Sequence, residues 1–166
     1  MKNQIAIPTA ISSIRLAVLP LFFYLYSLGN TVACLGLLAF CAATDYFDGY
    51  YARRLSAASK LGAYFDATTD FALTAGIFAF FTLQGFYPLW LVLLIAISFI
   101  QFIITSVYAK KLYDPVGRYL GSALYIGIVL TLLFPVQTVF FFVQYAFAVF
   151  FLVSLASRVL SFTKNV

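Results

Sequence analysis

The sequence predicts an all-α integral membrane protein of six transmembrane helices, with both termini on the cytoplasmic side. Three observations predict it. The 166-residue chain is 64% hydrophobic and 9% charged, with a mean hydropathy of +1.04, which excludes an ordinary soluble domain. No charge occurs from Leu16 to Thr44, from Phe71 to Ala109 or from Tyr119 to Ser157. Roughly 20 apolar residues cross a bilayer as a helix, so each of the last two runs holds two helices and a turn. Turn chemistry falls near the middle of each, as Gln84-Gly85-Phe86-Tyr87-Pro88 and as Pro135-Val136-Gln137-Thr138.

The helices are expected near 8–28, 31–54, 60–83, 87–109, 117–134 and 138–161. In the first, Lys2 precedes an apolar run as in a signal peptide. Arg15 interrupts that run and no small-residue cleavage site follows before Leu28, so the segment is expected to be retained as a span. Pro20 is a candidate kink within it. Gly29-Asn30 turns the chain into the second helix, where Cys34 and Cys41 are separated by a rise of about 10 Å. That is beyond disulfide reach, and both read as buried apolar side chains. Before the fourth helix, Phe86, Tyr87 and Trp90 suit an outer interfacial belt. No long linker, low-complexity tract or convincing repeat occurs, so residues 1–166 are expected to form one transmembrane domain.

With these spans, every charged residue lies at one end of the bundle. Lys2 and Arg15 stand at the start, and Arg53, Arg54 and Lys60 join helices two and three. Lys110, Lys111 and Arg118 join helices four and five, with Arg158 and Lys164 at the end. Short loops rich in Lys and Arg stay cytoplasmic, which sets the orientation in the cell membrane. Attraction of the +5 chain to anionic headgroups follows from the same charges. Nucleic acid is not an expected partner, since no soluble basic domain exists to dock it.

Four of the five acidic residues, Asp45, Asp48, Asp66 and Asp70, fall in the same short stretch, in a chain with no Glu and no His. Carboxylates in so apolar a background are costly to desolvate and mark a functional site. Spacings of three and four put each pair on one helix face. Gly49 and Ala52 share the face of the first pair and Gly62 that of the second, giving a pocket with a small-residue floor and acidic walls. Four ionised carboxylates cannot share such a pocket without compensating cations. Two divalent ions balance them, and all-oxygen ligation points to Mg²⁺ or Mn²⁺. Ions paired roughly 4 Å apart suit phosphoryl transfer. Arg53, just past the cage, offers a planar fork to a diphosphate.

The pattern D-x2-D-G-x2-A-R-x8-G-x3-D-x3-D is complete here and resembles the signature of the CDP-alcohol phosphatidyltransferase family. The resemblance implies six transmembrane helices with a cytoplasmic-end site, and a homodimer. It implies that Asp45, Asp48 and Asp66 bind two metal ions, and that Asp70 is both a ligand and the catalytic base. Gly49, Arg53 and Ser59 would contact the CDP part of a CDP-activated lipid; Ser59 also reads as a helix N-cap. Pro8, Ser12 and Arg15 are similar to the family's P-N-x-x-T-x-x-R pattern, with Thr9 in place of Asn and Ser12 in place of Thr. This makes Pro8 and Thr9 further candidate nucleotide contacts.

The start of the chain, Leu16 through Tyr26 included, is most similar to the phosphatidylglycerophosphate synthase branch. The connection Gly117-Arg118-Tyr119-Leu120-Gly121-Ser122 departs from that branch's G-K-x-K-T motif, losing the second Lys and the Thr. A hydroxyl acceptor would attack the lipid-linked phosphorus and CMP would leave. Arg118 and Arg158, with Lys110 and Lys111, are the candidate acceptor ligands, and their charge favours a polyol phosphate such as glycerol 3-phosphate or inositol phosphate. Positive-inside topology explains Lys110 and Lys111 equally well. The lipid tail is open between diacyl and archaeal ether forms. An ion-coupled carrier or cation channel is the rival class, because intramembrane aspartates also form ion pathways.

Overall fold

In a computed structural model the protein is described over residues 17–54, 60–108 and 119–163, with side chains described at 17–44, 67–104 and 119–157. All regular structure among the described residues is α-helical. The helices are α1 (Ala17–Ser27), α2 (Thr31–Arg54), α3 (Lys60–Leu83), α4 (Leu89–Tyr108), α5 (Leu120–Leu133) and α6 (Gln137–Thr163). Long apolar runs take this form because a helix satisfies every backbone N–H and C=O within its own segment. The bounds of α2 and α3 coincide with the expected 31–54 and 60–83. The fourth helix starts at Leu89 rather than 87, because Pro88 has no N–H and instead accepts the Leu91 N–H at 3.1 Å. The sixth helix begins one residue earlier and ends two later than expected.

The three expected turns are present. After α1, Gly29 adopts φ +71°, the Gly29 N–H donates to the Tyr26 carbonyl and the Asn30 N–H to the Leu25 carbonyl. This is a Schellman closure, which uses a left-handed residue that glycine adopts without strain. Asn30 then opens α2, its Oδ1 accepting the Ala33 N–H at 3.0 Å. After α3 the closure repeats: Gly85 has φ +81°, its N–H reaches the Thr82 carbonyl, and the Phe86 N–H reaches the Phe81 carbonyl. The rings of Phe81 and Phe86 pack 5.8 Å apart across it, the apolar contact that accompanies the motif. After α5, the Val136 N–H turns back to the Phe134 carbonyl around Pro135.

The chain divides into two compact units, Met1–Gly76 and Ile77–Val166, the division falling within α3. In the first, Val18, Phe22, Cys34, Leu38, Cys41 and Leu73 are buried, and both cysteines are free thiols as expected. In the second, α6 packs against α4 and α5. Gly127 permits the α5 contact: a Cβ there would lie 3.0 Å from the Phe147 ring and 3.2 Å from Val143. Nearby, the Tyr87 ring lies tilted against Phe78 and the Phe147 ring edge-on to it, with centroids 5.4 and 5.7 Å from that of Phe78. Buried Thr131 donates to the Gly127 carbonyl at 2.7 Å, so in the 2.6 Å contact between the two hydroxyls Tyr87 is the donor.

Among the described residues one helix, over Gln137–Ser157, is long and apolar enough to cross a membrane; the apolar stretches of the others are shorter. Apolar side chains also line the outward faces. Leu89, Leu93, Ile97, Ile100 and Ile104 are exposed along α4, as are Phe142, Tyr145, Val149 and Val153 along α6. A helix facing water carries polar residues on that stripe, whereas one apolar all round lies in a large core or in lipid.

Candidate functional site

Continuous helix through the end of α2 puts Asp45, Asp48, Gly49 and Ala52 within an arc of about 100° at 3.6 residues per turn. On α3, Gly62, Asp66 and Asp70 fall within an arc of about 80°. In helical register, each aspartate position therefore falls on the same side of its helix as the neighbouring small residues. The side chains of Asp45, Asp48 and Asp66 lie outside the described set, as do those of Arg53 and Arg158. Pro8, Thr9, Ser59, Lys110, Lys111 and Arg118 lie wholly outside the described residues.

Asp70 is half-buried, and its surroundings on α3 are described. Thr69, Leu73 and Thr74 beside it are buried. The Thr74 hydroxyl donates to the Asp70 carbonyl at 2.9 Å and lies 3.2 Å from the Phe71 carbonyl. The acidic face of α3 thus borders the side that packs inward. Sequence reading passed over Thr69 and Thr74, since a hydroxyl in an apolar helix carries no charge to stand out. The usable signal was spacing: Thr74 is four residues past Asp70.

The donor set fits hard divalent cations. The chain has no His, its thiols at Cys34 and Cys41 are buried, and the helical register offers two carboxylates from each of two consecutive helices. Among the described residues no group of three or more His, Cys, Asp or Glu comes together, and Asp70 is the one site aspartate whose side chain is in that set.

Position 158 lies on α6 just beyond the apolar stretch that ends at Ser157. It follows buried Ser154 by four residues and buried Phe147 by eleven, which keeps it within about 40° of that stripe.

Residues 5–155 match the model of the family described as CDP-alcohol phosphatidyltransferase. The CDP-diacylglycerol–glycerol-3-phosphate 3-phosphatidyltransferase of Yersinia enterocolitica is 33% identical over 108 residues, 62% of this chain and 58% of the relative. The protein of the same name from Pectobacterium atrosepticum is 33% identical over 100 residues, covering 58% of this chain and 54% of its own. That from Pseudomonas fluorescens is 35% identical over 103 residues, covering 60% and 52%. The chain thus spans just over half the length of these relatives. No solved structure matches it.

Proposed function

The chain belongs to the CDP-alcohol phosphatidyltransferase family, and we propose that it transfers a phosphatidyl group from a CDP-activated lipid to glycerol 3-phosphate, releasing CMP. The observation that carries this reading is the complete aspartate pattern, its positions paired in register on two consecutive helices. The family match across residues 5–155 and the exposed apolar stripes support a single membrane-embedded domain. For the acceptor, support comes from the names of the relatives and from the basic residues outside the pattern.

In this reading Asp70 takes the proton of the acceptor hydroxyl. The freed oxygen bonds to the lipid-bearing phosphorus, the bond from that phosphorus to the bridging oxygen breaks, and CMP departs with the electron pair. Asp45, Asp48 and Asp66, with Asp70, would hold two divalent ions, Mg²⁺ or Mn²⁺. These supply charge neutralisation on the diphosphate oxygens when bound. Arg53 meets the diphosphate through its fork, Gly49, Ala52 and Gly62 leave room for the nucleotide, and Ser59, Pro8 and Thr9 complete the CDP contacts. Arg118 and Arg158, with Lys110 and Lys111, take the acceptor phosphate. The reading extends to six membrane crossings, a cytoplasmic site and a homodimer. A carrier would need acidic groups continuing across the bilayer, and the sequence from Phe71 to Ala109 has none.

Purified protein given CDP-diacylglycerol should release CMP with glycerol 3-phosphate, and chelation of divalent ions should abolish the release. Arg118→Ala and Arg158→Ala should raise the acceptor KM and leave the CDP-lipid KM unchanged. Turnover with serine in preference to any phosphorylated acceptor would overturn the acceptor assignment; no metal-dependent CMP release with any acceptor would overturn the transferase.

A further inference from the structure

Besides that of Thr131, two buried helical hydroxyls among the described residues donate to the carbonyl four residues before. Ser98 on α4 is buried and donates to the Leu94 carbonyl at 2.9 Å, and Thr74 on α3 is buried and donates to the Asp70 carbonyl at 2.9 Å. Back-bonding to the fourth residue before is how an apolar helix satisfies a hydroxyl, and it also bends the helix slightly. The two bonds differ in whose carbonyl they hold. Leu94 has no chemistry to orient, whereas the peptide held by Thr74 carries Asp70. The Thr74 oxygen is also within reach of the Phe71 carbonyl, at 3.2 Å, so it is held against two successive peptides. In register, Thr74 follows Asp66 and Asp70 at intervals of four and ends the polar run of that face. Thr69 and Leu73, both buried, fix the flank of the same turn.

We propose that Thr74 is a positioning residue for Asp70: its hydroxyl sets the local bend of α3, and with it the direction in which the Asp70 carboxylate leaves the helix. The consequence for turnover rests on the transferase reading; the consequence for cation binding does not. Thr74→Val keeps the shape and removes the hydroxyl, Thr74→Ser keeps the hydroxyl, and Ser98→Ala removes the equivalent bond elsewhere. In the purified full chain, Thr74→Val should lower kcat roughly tenfold with the CDP-lipid KM unchanged, the scale seen when the support of a ligand is lost. It should weaken Mn²⁺ binding, read from the free-ion electron paramagnetic resonance signal, by a similar factor. Thr74→Ser should recover both, and Ser98→Ala should change neither. If Thr74→Val misfolds, Thr74→Ala removes the same hydroxyl and is read identically. Wild-type kcat and Mn²⁺ affinity in the hydroxyl-free variant would overturn the proposal, as would failure of Thr74→Ser to restore them or equal losses in Ser98→Ala. If the wild type binds Mn²⁺ but transfers nothing, the transferase reading falls and the Mn²⁺ comparison alone decides Thr74. A wild type that binds no Mn²⁺ overturns both.

Discussion

Asparagine keeps the shape of aspartate but removes the charge and turns one acceptor oxygen into an N–H donor, so it separates the roles of the four carboxylates. At 45, 48 or 66 the substitution should abolish turnover and weaken divalent-ion binding together, because a ligand charge is lost. At Asp70 turnover should fall by about 10²–10⁴-fold, the usual scale for a general base, while part of the ion and CDP-lipid binding survives. Turnover measured beside Mn²⁺ titration checks the split; a near-wild-type rate in Asp70→Asn would remove the base assignment. The aspartates were legible in the sequence because charge is rare in this chain and their spacing is helical. Thr74 was not, since a hydroxyl that bonds its own helix leaves the same trace as any other polar residue in an apolar run. Arg158 was legible as a charge, and its side chain lies outside the described set.

Among the elements, two glycines should respond oppositely to one substitution. Gly85 closes α3 at φ +81° with nothing within 4 Å of a Cβ built there. Alanine at that position should destabilise by about 1–2 kcal/mol, from left-handed strain rather than from a clash. Gly36 lies within α2, also in open space, and alanine there should stabilise by up to about 1 kcal/mol through helix propensity. Thermal unfolding of the two variants in detergent checks the contrast, and a loss of stability at both positions would remove the argument. The turns were legible because Gly29-Asn30, Gln84–Pro88 and Pro135–Thr138 interrupt uncharged runs. The double duty of Asn30, whose N–H closes α1 while its side chain opens α2, was not, because it depends on hydrogen bonds that composition does not reveal. The start of α4 lies two residues later than the expected 87 for a related reason: Pro88 stands just outside the helix, its carbonyl accepting the Leu91 N–H.

At the scale of the molecule, reporters at residue 2 and at Val166 should be cytoplasmic and one within Gln84–Pro88 external, as read by a compartment-sensitive enzyme fusion. Residues 2 and 85 on the same side would remove the six-crossing reading. The helix count was legible from the charge-free runs, but the assignment of buried and outward faces was not. In α4, buried Leu91 and Ile95 are of the same type as exposed Leu93 and Ile97, so no period distinguishes core from surface. Only packing separates them, as at Gly127, where a Cβ would lie 3.0 Å from the Phe147 ring and the ring would have to give way. The turns between α1 and α2, α3 and α4, and α5 and α6 are short and contain no charged residue. In the proposed orientation these three corners are the parts that must travel through the bilayer during synthesis. A Lys, Arg or Asp at mid-membrane costs about 2.5–3.5 kcal/mol on insertion scales, and none has to make that journey. Each pair of helices, already closed by its own capping bonds, can therefore enter the membrane as a preformed hairpin, leaving every charge on the side where it was translated.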